Sequence, residues 1–148
     1  MADWFLKVKK DFITCFLEKD RWHYILQGLG NTLKIALVAV LLGVVIGTVV
    51  AIIRSTYDKN AATMRPGIVR FLLGLGNAVC RIYLTVIRGT PVMIQILIMF
   101  FVIFSNARDG VPVAMLTFGI NSGAYVAEII RGGIMAVDAG QMEAGRSL

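Results

Sequence analysis

Three long stretches without a charged residue constrain this chain more than any other feature. Residues 35–53, 89–107 and 110–127 contain no Asp, Glu, Lys or Arg. Each stretch is close to the roughly 20 apolar residues that a helix needs to cross the hydrocarbon core of a bilayer. A small soluble domain cannot bury several helices that are apolar on all sides. The sequence therefore predicts an all-α, polytopic membrane protein with three transmembrane helices.

The composition agrees with a membrane protein. Hydrophobic residues make up 57% of the chain and charged residues 16%, whereas soluble domains average about 45–50% apolar and about 25% charged residues. The net charge of +6 is spread along the chain, without the long basic run or the aromatic and basic stripe that is typical of nucleic-acid binding. We expect the lipid bilayer, and no nucleic acid, as a partner.

No pattern of catalytic or metal-binding residues is visible in the sequence. Cys15 and Cys80 are far apart and match no metal-ligand spacing, and His23 is the single histidine. The chain also lacks the Gly-x-x-x-x-Gly-Lys-Ser/Thr phosphate loop of ATPases. We therefore predict no catalytic residue, no metal ligand and no cofactor bound by this chain.

The chain divides into an N-terminal segment and a membrane domain. In residues 1–24, apolar side chains recur at helical spacing with lysines between them, which predicts an amphipathic helix in the membrane interface; the alternative is a poorly ordered leader. Residues 25–148 form the membrane domain. We expect spans at about 33–53, 91–104 and 113–130, a loop at 54–65 and an amphipathic approach helix at 71–87.

Two local signals refine these spans. Asn31 or Thr32 is expected to cap the start of the first span, and Gly43 and Gly47 lie one helical turn apart, where another helix can approach closely. A second cap is expected before the second span, where Thr90 precedes a proline that suits the first helical position. The alternative is one long helix with a kink at that proline.

The distribution of basic residues predicts the orientation. Residues 54–88 hold six Lys or Arg and one acidic residue, whereas residues 105–112 hold one of each sign. By the positive-inside rule the first stretch is cytoplasmic and the second is external. The N-terminus is then outside and the C-terminal end cytoplasmic, although the N-terminal segment with Lys34 carries six basic residues against four acidic ones.

Polar residues within the spans are candidates for a translocation path. A charged side chain at mid-bilayer costs about 2.5–3.5 kcal/mol on insertion scales, so such residues should face a bundle interior or water. The candidate set is Gln95, Asn121, Ser122, Tyr125 and Glu128. For Glu128, a packing role with a local ion pair to Arg131 is the alternative.

The C-terminal residues predict a second, shorter helix. Gly132 and Gly133 allow the third span to break, and Asp138 can cap a new helix after them. A short cytoplasmic helix of this kind suits docking in the groove of a partner protein. An ordinary helix on the membrane surface is the alternative.

Three segments resemble the permease subunits of polar amino-acid ABC importers. "RGTPVMIQILIMFF" at 88–101 resembles the Arg-Gly-Thr-Pro signature of that family, and "SGAYVAEIIRGGIMAVDAGQMEAGRSL" at 122–148 resembles the start of its Glu-Ala-Ala coupling loop. "GLGNTLKIAL" at 28–37 is similar to the entry of its first span. The resemblance implies a five-span type I importer permease fold, of which this chain holds three spans and ends inside the coupling loop.

The resemblance also implies a function and partners. The chain would be a permease subunit in a bacterial cytoplasmic membrane, with a second, identical or related permease subunit, two ATPase subunits that bind ATP and Mg, and an extracytoplasmic amino-acid-binding protein. The matching coupling-loop positions are Gly140, Gln141, Glu143, Ala144 and Gly145. The inner end of the second span would be shaped by Arg88, Gly89, Thr90 and Pro91.

One coupling-loop position departs from the family pattern. The family usually has alanine where this chain has Gly145, and glycine weakens a helix by about 1 kcal/mol relative to alanine. Two other functions remain open from the residues alone. One is a truncated, non-transporting membrane protein or assembly partner, and the other is a membrane enzyme.

Overall fold

The computed structural model describes residues 1–17, 20–61 and 63–147, in which every regular element is helical. Helix α1 is Ala2–Phe12, followed by a π-helical turn at Ile13–Leu17. Three long helices are α2 at Trp22–Asn60, α3 at Ile68–Gly89 and α5 at Gly110–Ala136. Two short helices are α4 at Val92–Ile98, extended by a π-helical turn at Met99–Ile103, and α6 at Ala139–Ser147.

Three of these helices, α2, α3 and α5, are long and apolar enough to cross a membrane. This confirms the predicted number of spans as a count of candidates. Helix α3, which we expected to be an approach helix, is one of the three, whereas Val92–Ile103, where we expected the second span, is a shorter apolar helix. Arg81 interrupts the apolar sequence of α3, yet 22 residues rising 1.5 Å each give about 33 Å, enough to cross the core.

The first span is longer at both ends than predicted. Helix α2 passes through Asn31 and Thr32 without a break, so neither residue caps it, and it continues to Asn60 where we expected a loop. The Thr32 hydroxyl donates to the Gly28 carbonyl at 2.9 Å. A Thr side chain inside a helix can satisfy its hydroxyl in this way, so a polar residue in the sequence does not require the helix to start there.

The chain between α3 and α4 is interrupted rather than kinked. Thr90 and Pro91 both have extended backbone, and Val92 is the first residue of α4. Pro91 therefore lies just before the first residue of α4, whereas we predicted it at the first helical position. Thr90 also closes α3 instead of capping α4, because its hydroxyl donates to the Val86 carbonyl at 2.8 Å. The residue before a proline is driven toward extended backbone, which ends α3 here.

The predicted helix break at Gly132 and Gly133 is wrong, because α5 continues through both residues to Ala136. Glycine permits a break without imposing one. The helix ends where Val137 becomes extended. The Asp138 carboxylate then accepts a hydrogen bond from the Gly140 backbone N–H at 2.7 Å, which confirms Asp138 as the cap of α6.

Helices α2 and α5 pack closely through small residues. A Cβ atom added to Gly43 would lie 2.6 Å from Ser122 Oγ, and one added to Gly47 would lie 2.6 Å from Val126 Cγ1. Neither position tolerates a side chain at this separation, which confirms the predicted role of the two glycines. Contacts advance in the same order along both helices, so α2 and α5 run in the same direction.

Helix α3 crosses this pair in the opposite direction. Its Gly74 lies beside Tyr57 and its Gly76 beside Ile53, while the hydroxyl of its Tyr83 donates to the Ile120 carbonyl of α5 at 2.6 Å. The three helices bury a small core between them. That core is formed by Val50, Cys80, Leu84, Ala124 and Ala127.

Candidate functional site

A line of polar side chains follows α5 from the middle of the helix toward its C-terminal end. We call it the polar stripe. It consists of Arg54, Arg88, Gln95, Asn121, Tyr125, Glu128 and Arg131. Asn121 and Arg131 are ten residues apart on α5, so the stripe covers about 15 Å along the helix axis.

The part of the stripe nearest the start of α5 is a junction centred on Gln95. Its amide nitrogen donates to the Ile87 carbonyl at 2.8 Å, to the Thr90 hydroxyl at 2.8 Å and to the Thr90 carbonyl at 3.1 Å. Its amide oxygen accepts from Asn121 at 3.1 Å. Gln95 therefore holds the start of α4 against the end of α3 and the middle of α5. The structure brings these two predicted polar residues together.

Tyr125 forms the middle of the stripe. Its side chain is half exposed, at 48%, and the Arg88 guanidinium lies 5.7 Å from the centre of its ring. A cation over an aromatic face is attracted by the ring quadrupole. Ser122, the remaining predicted residue of this face, lies instead where α5 meets Gly43 of α2.

The end of the stripe nearest the C-terminus of α5 is an ion-pair network around Glu128. One carboxylate oxygen accepts from Arg54 at 2.5 Å and lies 3.9 Å from Arg88, and the other accepts from Arg131 at 3.2 Å. Arg131 also pairs with Asp58 of α2 at 3.2 Å. The predicted ion pair between Glu128 and Arg131 is confirmed, and the network additionally ties α5 to α2 and α3.

Sequence reasoning missed Arg54 and Asp58 as members of this network. Arg54 is the first charged residue after the apolar run of α2, just as Glu128 is the first charged residue after the apolar run of α5. The matching positions of Arg54 and Glu128 at the ends of two apolar runs were the signal from which their pairing could have been inferred. It becomes informative only once α2 and α5 are known to run side by side.

Two concave regions border the stripe. A pocket of about 360 Å³, which we call the arginine pocket, is lined by Arg54, Arg81, Leu84, Thr85, Arg88, Gly89 and Glu128. A groove of about 610 Å³ between α2 and α5 is mostly apolar, with Thr32, Asn121, Ser122 and Tyr125 as its polar lining. Together they offer polar and charged groups of both signs on one side of α5, an arrangement suited to binding small charged molecules.

The predicted coupling-loop residues lie on α6, which contributes no residue to the stripe. Gly140, Gln141 and Gly145 are exposed. The side chains of Glu143 and Ala144 lie outside the described part of the structure, as does Leu148. Among the residues that are described, no group of three or more His, Cys, Asp or Glu side chains is placed to hold a metal ion.

Comparison with known proteins gives a family match. Residues 61–148 match the family described as "Binding-protein-dependent transport system inner membrane component". The match begins in the turn after α2. It includes α3 to α6, and with them every residue of the polar stripe except Arg54.

Curated relatives extend the similarity toward the N-terminus. The chain is 38% identical over 128 residues to the putative glutamine transport system permease protein GlnP of Rickettsia prowazekii, covering 84% of this chain and 52% of that protein. It is 35% identical over 128 residues to the arginine transport system permease protein ArtQ of Bacillus subtilis, with the same coverage. The chain thus spans about half the length of the curated relatives it matches.

A solved structure is similar in fold. It is described as the crystal structure of an amino acid ABC transporter with histidines. The two chains superpose with a TM-score of 0.60 at 36% sequence identity, over 78% of this chain and 48% of the other.

Proposed function

The chain belongs to the family of binding-protein-dependent transport system inner membrane components, and from this premise we propose that it is a permease subunit of an ATP-driven amino-acid importer. The observation that carries the proposal is the polar stripe. Charged and amide side chains are expensive at membrane depth. Here they are gathered on one side of α5 beside a groove and a pocket, where water and a polar solute can reach them.

We infer that the stripe lines the inner part of a path for a polar amino acid. An amino acid carries a carboxylate and an ammonium group, and the stripe offers partners for both, with arginines beside Glu128 and amide groups at Gln95 and Asn121. Glutamine and arginine are the amino acids named for the relatives, so they are the first substrates to test. A binding protein outside the membrane would deliver them.

The proposed orientation has the Glu128 network on the cytoplasmic side. Six Lys or Arg residues between positions 54 and 88 favour this side by the positive-inside rule. Helices α2 and α5 would then run inward, while α3 and Val92–Ile103 run outward. The external N-terminus of this arrangement leaves α1 at the outer surface, where its exposed Trp4 and Phe5 suit the interface.

Helix α6 is the proposed contact with an ATPase subunit. It follows α5 after only two residues, and its described side chains are exposed. A displacement of α6 would therefore be transmitted to the Glu128 network over a short length of chain. A second permease subunit would complete the pathway by alternating access. The ATP and Mg would be bound by the ATPase subunits.

The test is a charge reversal in α6. In the purified complex of this chain with its permease and ATPase partners, Glu143→Arg should reduce substrate-stimulated ATP hydrolysis and amino-acid uptake. The reason is that the reversed charge disturbs the proposed contact between α6 and the ATPase subunit. Lys59→Glu reverses an exposed charge at the end of α2, outside the predicted coupling loop, and serves as the control. Normal stimulated hydrolysis in Glu143→Arg would refute the coupling role. Failure of any ATPase to co-purify would instead favour a non-transporting assembly partner.

A further inference from the structure

The acidic side chains of the membrane helices are few, and each already has a partner. From the start of α2 to the end of α5 the sequence contains three acidic residues, Asp58, Asp109 and Glu128. Glu128 accepts from Arg54 with one carboxylate oxygen and from Arg131 with the other, and Asp58 also pairs with Arg131. The Asp109 carboxylate accepts from a backbone N–H at the start of α5. In these described helices, no carboxylate is therefore left to receive another cation.

Basic side chains around the polar stripe outnumber these carboxylates. Four guanidinium groups lie in the stripe or in the lining of the arginine pocket, those of Arg54, Arg81, Arg88 and Arg131. Only two carboxylates lie among them, so two positive charges are uncompensated. Arg88 has the most open side chain of the three stripe arginines, at 45% exposure against 16% for Arg54 and 27% for Arg131. Its guanidinium is 3.9 Å from Glu128, which is too far for a hydrogen bond.

Arg88 lies where the arginine pocket adjoins the groove between α2 and α5. It lines the pocket, and its guanidinium is 5.7 Å from the ring centre of Tyr125, which lines the groove. The other polar residues in the lining of the groove, Thr32, Asn121 and Ser122, are neutral. A solute with an anionic group can therefore place that group at Arg88, while the rest of the solute meets neutral polar and apolar side chains.

We propose that this chain selects amino acids by the charge of their side chain, and that it binds neutral or acidic amino acids in preference to cationic ones. The inference rests on the proposed function and narrows its substrate class. The carboxylate of the amino acid binds Arg88 through a charge-assisted hydrogen bond. A cationic side chain instead faces uncompensated arginines without a free carboxylate, and such a contact between like charges disfavours binding. Of the two amino acids named for the relatives, this favours glutamine over arginine.

The test is amino-acid binding to the transporter complex in the absence of a binding protein, which would impose a selection of its own. The complex of this chain with its permease and ATPase partners is placed in phosphatidylcholine nanodiscs, and equilibrium binding of radiolabelled glutamine, glutamate and arginine is measured. We expect arginine to bind at least about tenfold more weakly than glutamine, because a contact between like charges exceeds the free energy of a tenfold change in affinity.

Substitutions at Arg88 assign the selection to this residue. Arg88→Gln should weaken glutamine binding about tenfold, because the carboxylate loses its charged partner, and should weaken arginine binding less, because one repelling charge is removed as well. A purely structural role would lower the binding of both amino acids by the same factor. Arg88→Lys keeps the charge and should keep the preference for glutamine. Arg70→Gln removes an equal charge from α3 outside the stripe, where Arg70 donates to the Met64 carbonyl, and should change neither affinity.

The possible failures are distinguishable. Arginine binding as tightly as glutamine in the wild-type complex would overturn the proposed selection and leave the importer function standing. An equal loss for both amino acids in Arg88→Gln, or the same change in Arg70→Gln, would overturn the role of Arg88. An assembled complex that hydrolyses ATP and binds none of the three amino acids would contradict the proposed function itself, and the inference with it.

Discussion

Gly47 shows how a single missing side chain determines the helix packing. A Cβ atom at this position would lie 2.6 Å from Val126 Cγ1 and 2.9 Å from the Gly123 carbonyl oxygen. The valine can shift, but the backbone oxygen belongs to the facing helix. Only glycine lets α2 and α5 approach this closely, and the sequence indicated this from the four-residue spacing to Gly43. The sequence did not indicate which helix would face the glycines.

We predict that Gly47→Ala destabilises the chain. The added methyl group must push α2 and α5 apart, and overpacking of this kind typically costs about 1–3 kcal/mol. Gly28→Ala is the matched control, because nothing lies within 4 Å of that Cβ position and alanine favours a helix by up to about 1 kcal/mol. Unfolding in detergent, followed by circular dichroism, measures both. Equal stability of Gly47→Ala and wild type would contradict the packing described here.

Glu128 was visible in the sequence as a polar residue at membrane depth, and its pair with Arg131 followed from their spacing. Its pairing with Arg54 was not visible, because the two residues are 74 positions apart and meet only through the packing of α2 on α5. Both side chains are largely buried, at 16% and 22% exposure. Removing either partner leaves the other charge poorly compensated.

A double-mutant cycle measures this pair. Arg54→Gln and Glu128→Gln should each lower the free energy of unfolding, and the double variant should lose less than the sum, with a coupling energy of about 0.5–3 kcal/mol. The same cycle with Arg70→Gln in place of Arg54→Gln should be additive, since Arg70 contacts the Met64 carbonyl instead. Additive behaviour of the first cycle would show that the ion pair does not form.

At the scale of elements, the type of structure was predictable and the boundaries were not. Apolar runs predicted helices, and the number of candidate spans is as predicted, but the run at 89–107 contains only the shorter apolar helix Val92–Ile103. The polar residues at the ends of α2 do not stop the helix, since its backbone hydrogen bonds continue past them to Asn60. Helix α3 was predicted only as an amphipathic approach helix, because Arg81 interrupts its apolar sequence. Its apolar residues Val79, Ile82 and Val86 are exposed in the structure.

The junction between α3 and α4 depends on Gln95, and we predict that Gln95→Leu loosens it. Leucine keeps the approximate size but removes the donors to Ile87 and Thr90 and the acceptor for Asn121. Hydrogen exchange of the first backbone amides of α4 should become faster while α2 and α5 remain protected. Gln141→Leu on the exposed surface of α6 is the control and should leave α4 unchanged. Unaltered exchange in Gln95→Leu would mean that proline geometry alone holds the junction.

At the scale of the whole molecule, the two sides of the helix bundle differ in character. On α2, Leu41 and Val45 point away from α5 and are exposed, a surface suited to lipid. The polar stripe and the groove lie on α5, beside the half-exposed Tyr125. The spacing of residues in the sequence anticipated part of this division, because Asn121, Tyr125 and Glu128, four and three residues apart, lie on one helical face. Two of the arginines that complete it, Arg54 and Arg88, come from α2 and α3.

The central claim is that this face of α5 lines a water-filled path, and thiol labelling tests it most directly. Tyr125→Cys and Val45→Cys are made separately in the complex with its partners, after Cys15→Ser and Cys80→Ala remove the native thiols. The account predicts that a charged, membrane-impermeant thiol reagent labels Tyr125→Cys quickly, that the transported amino acid slows this labelling, and that Val45→Cys reacts slowly in both conditions. Labelling of Tyr125→Cys as slow as that of Val45→Cys, and insensitive to amino acid, would contradict it.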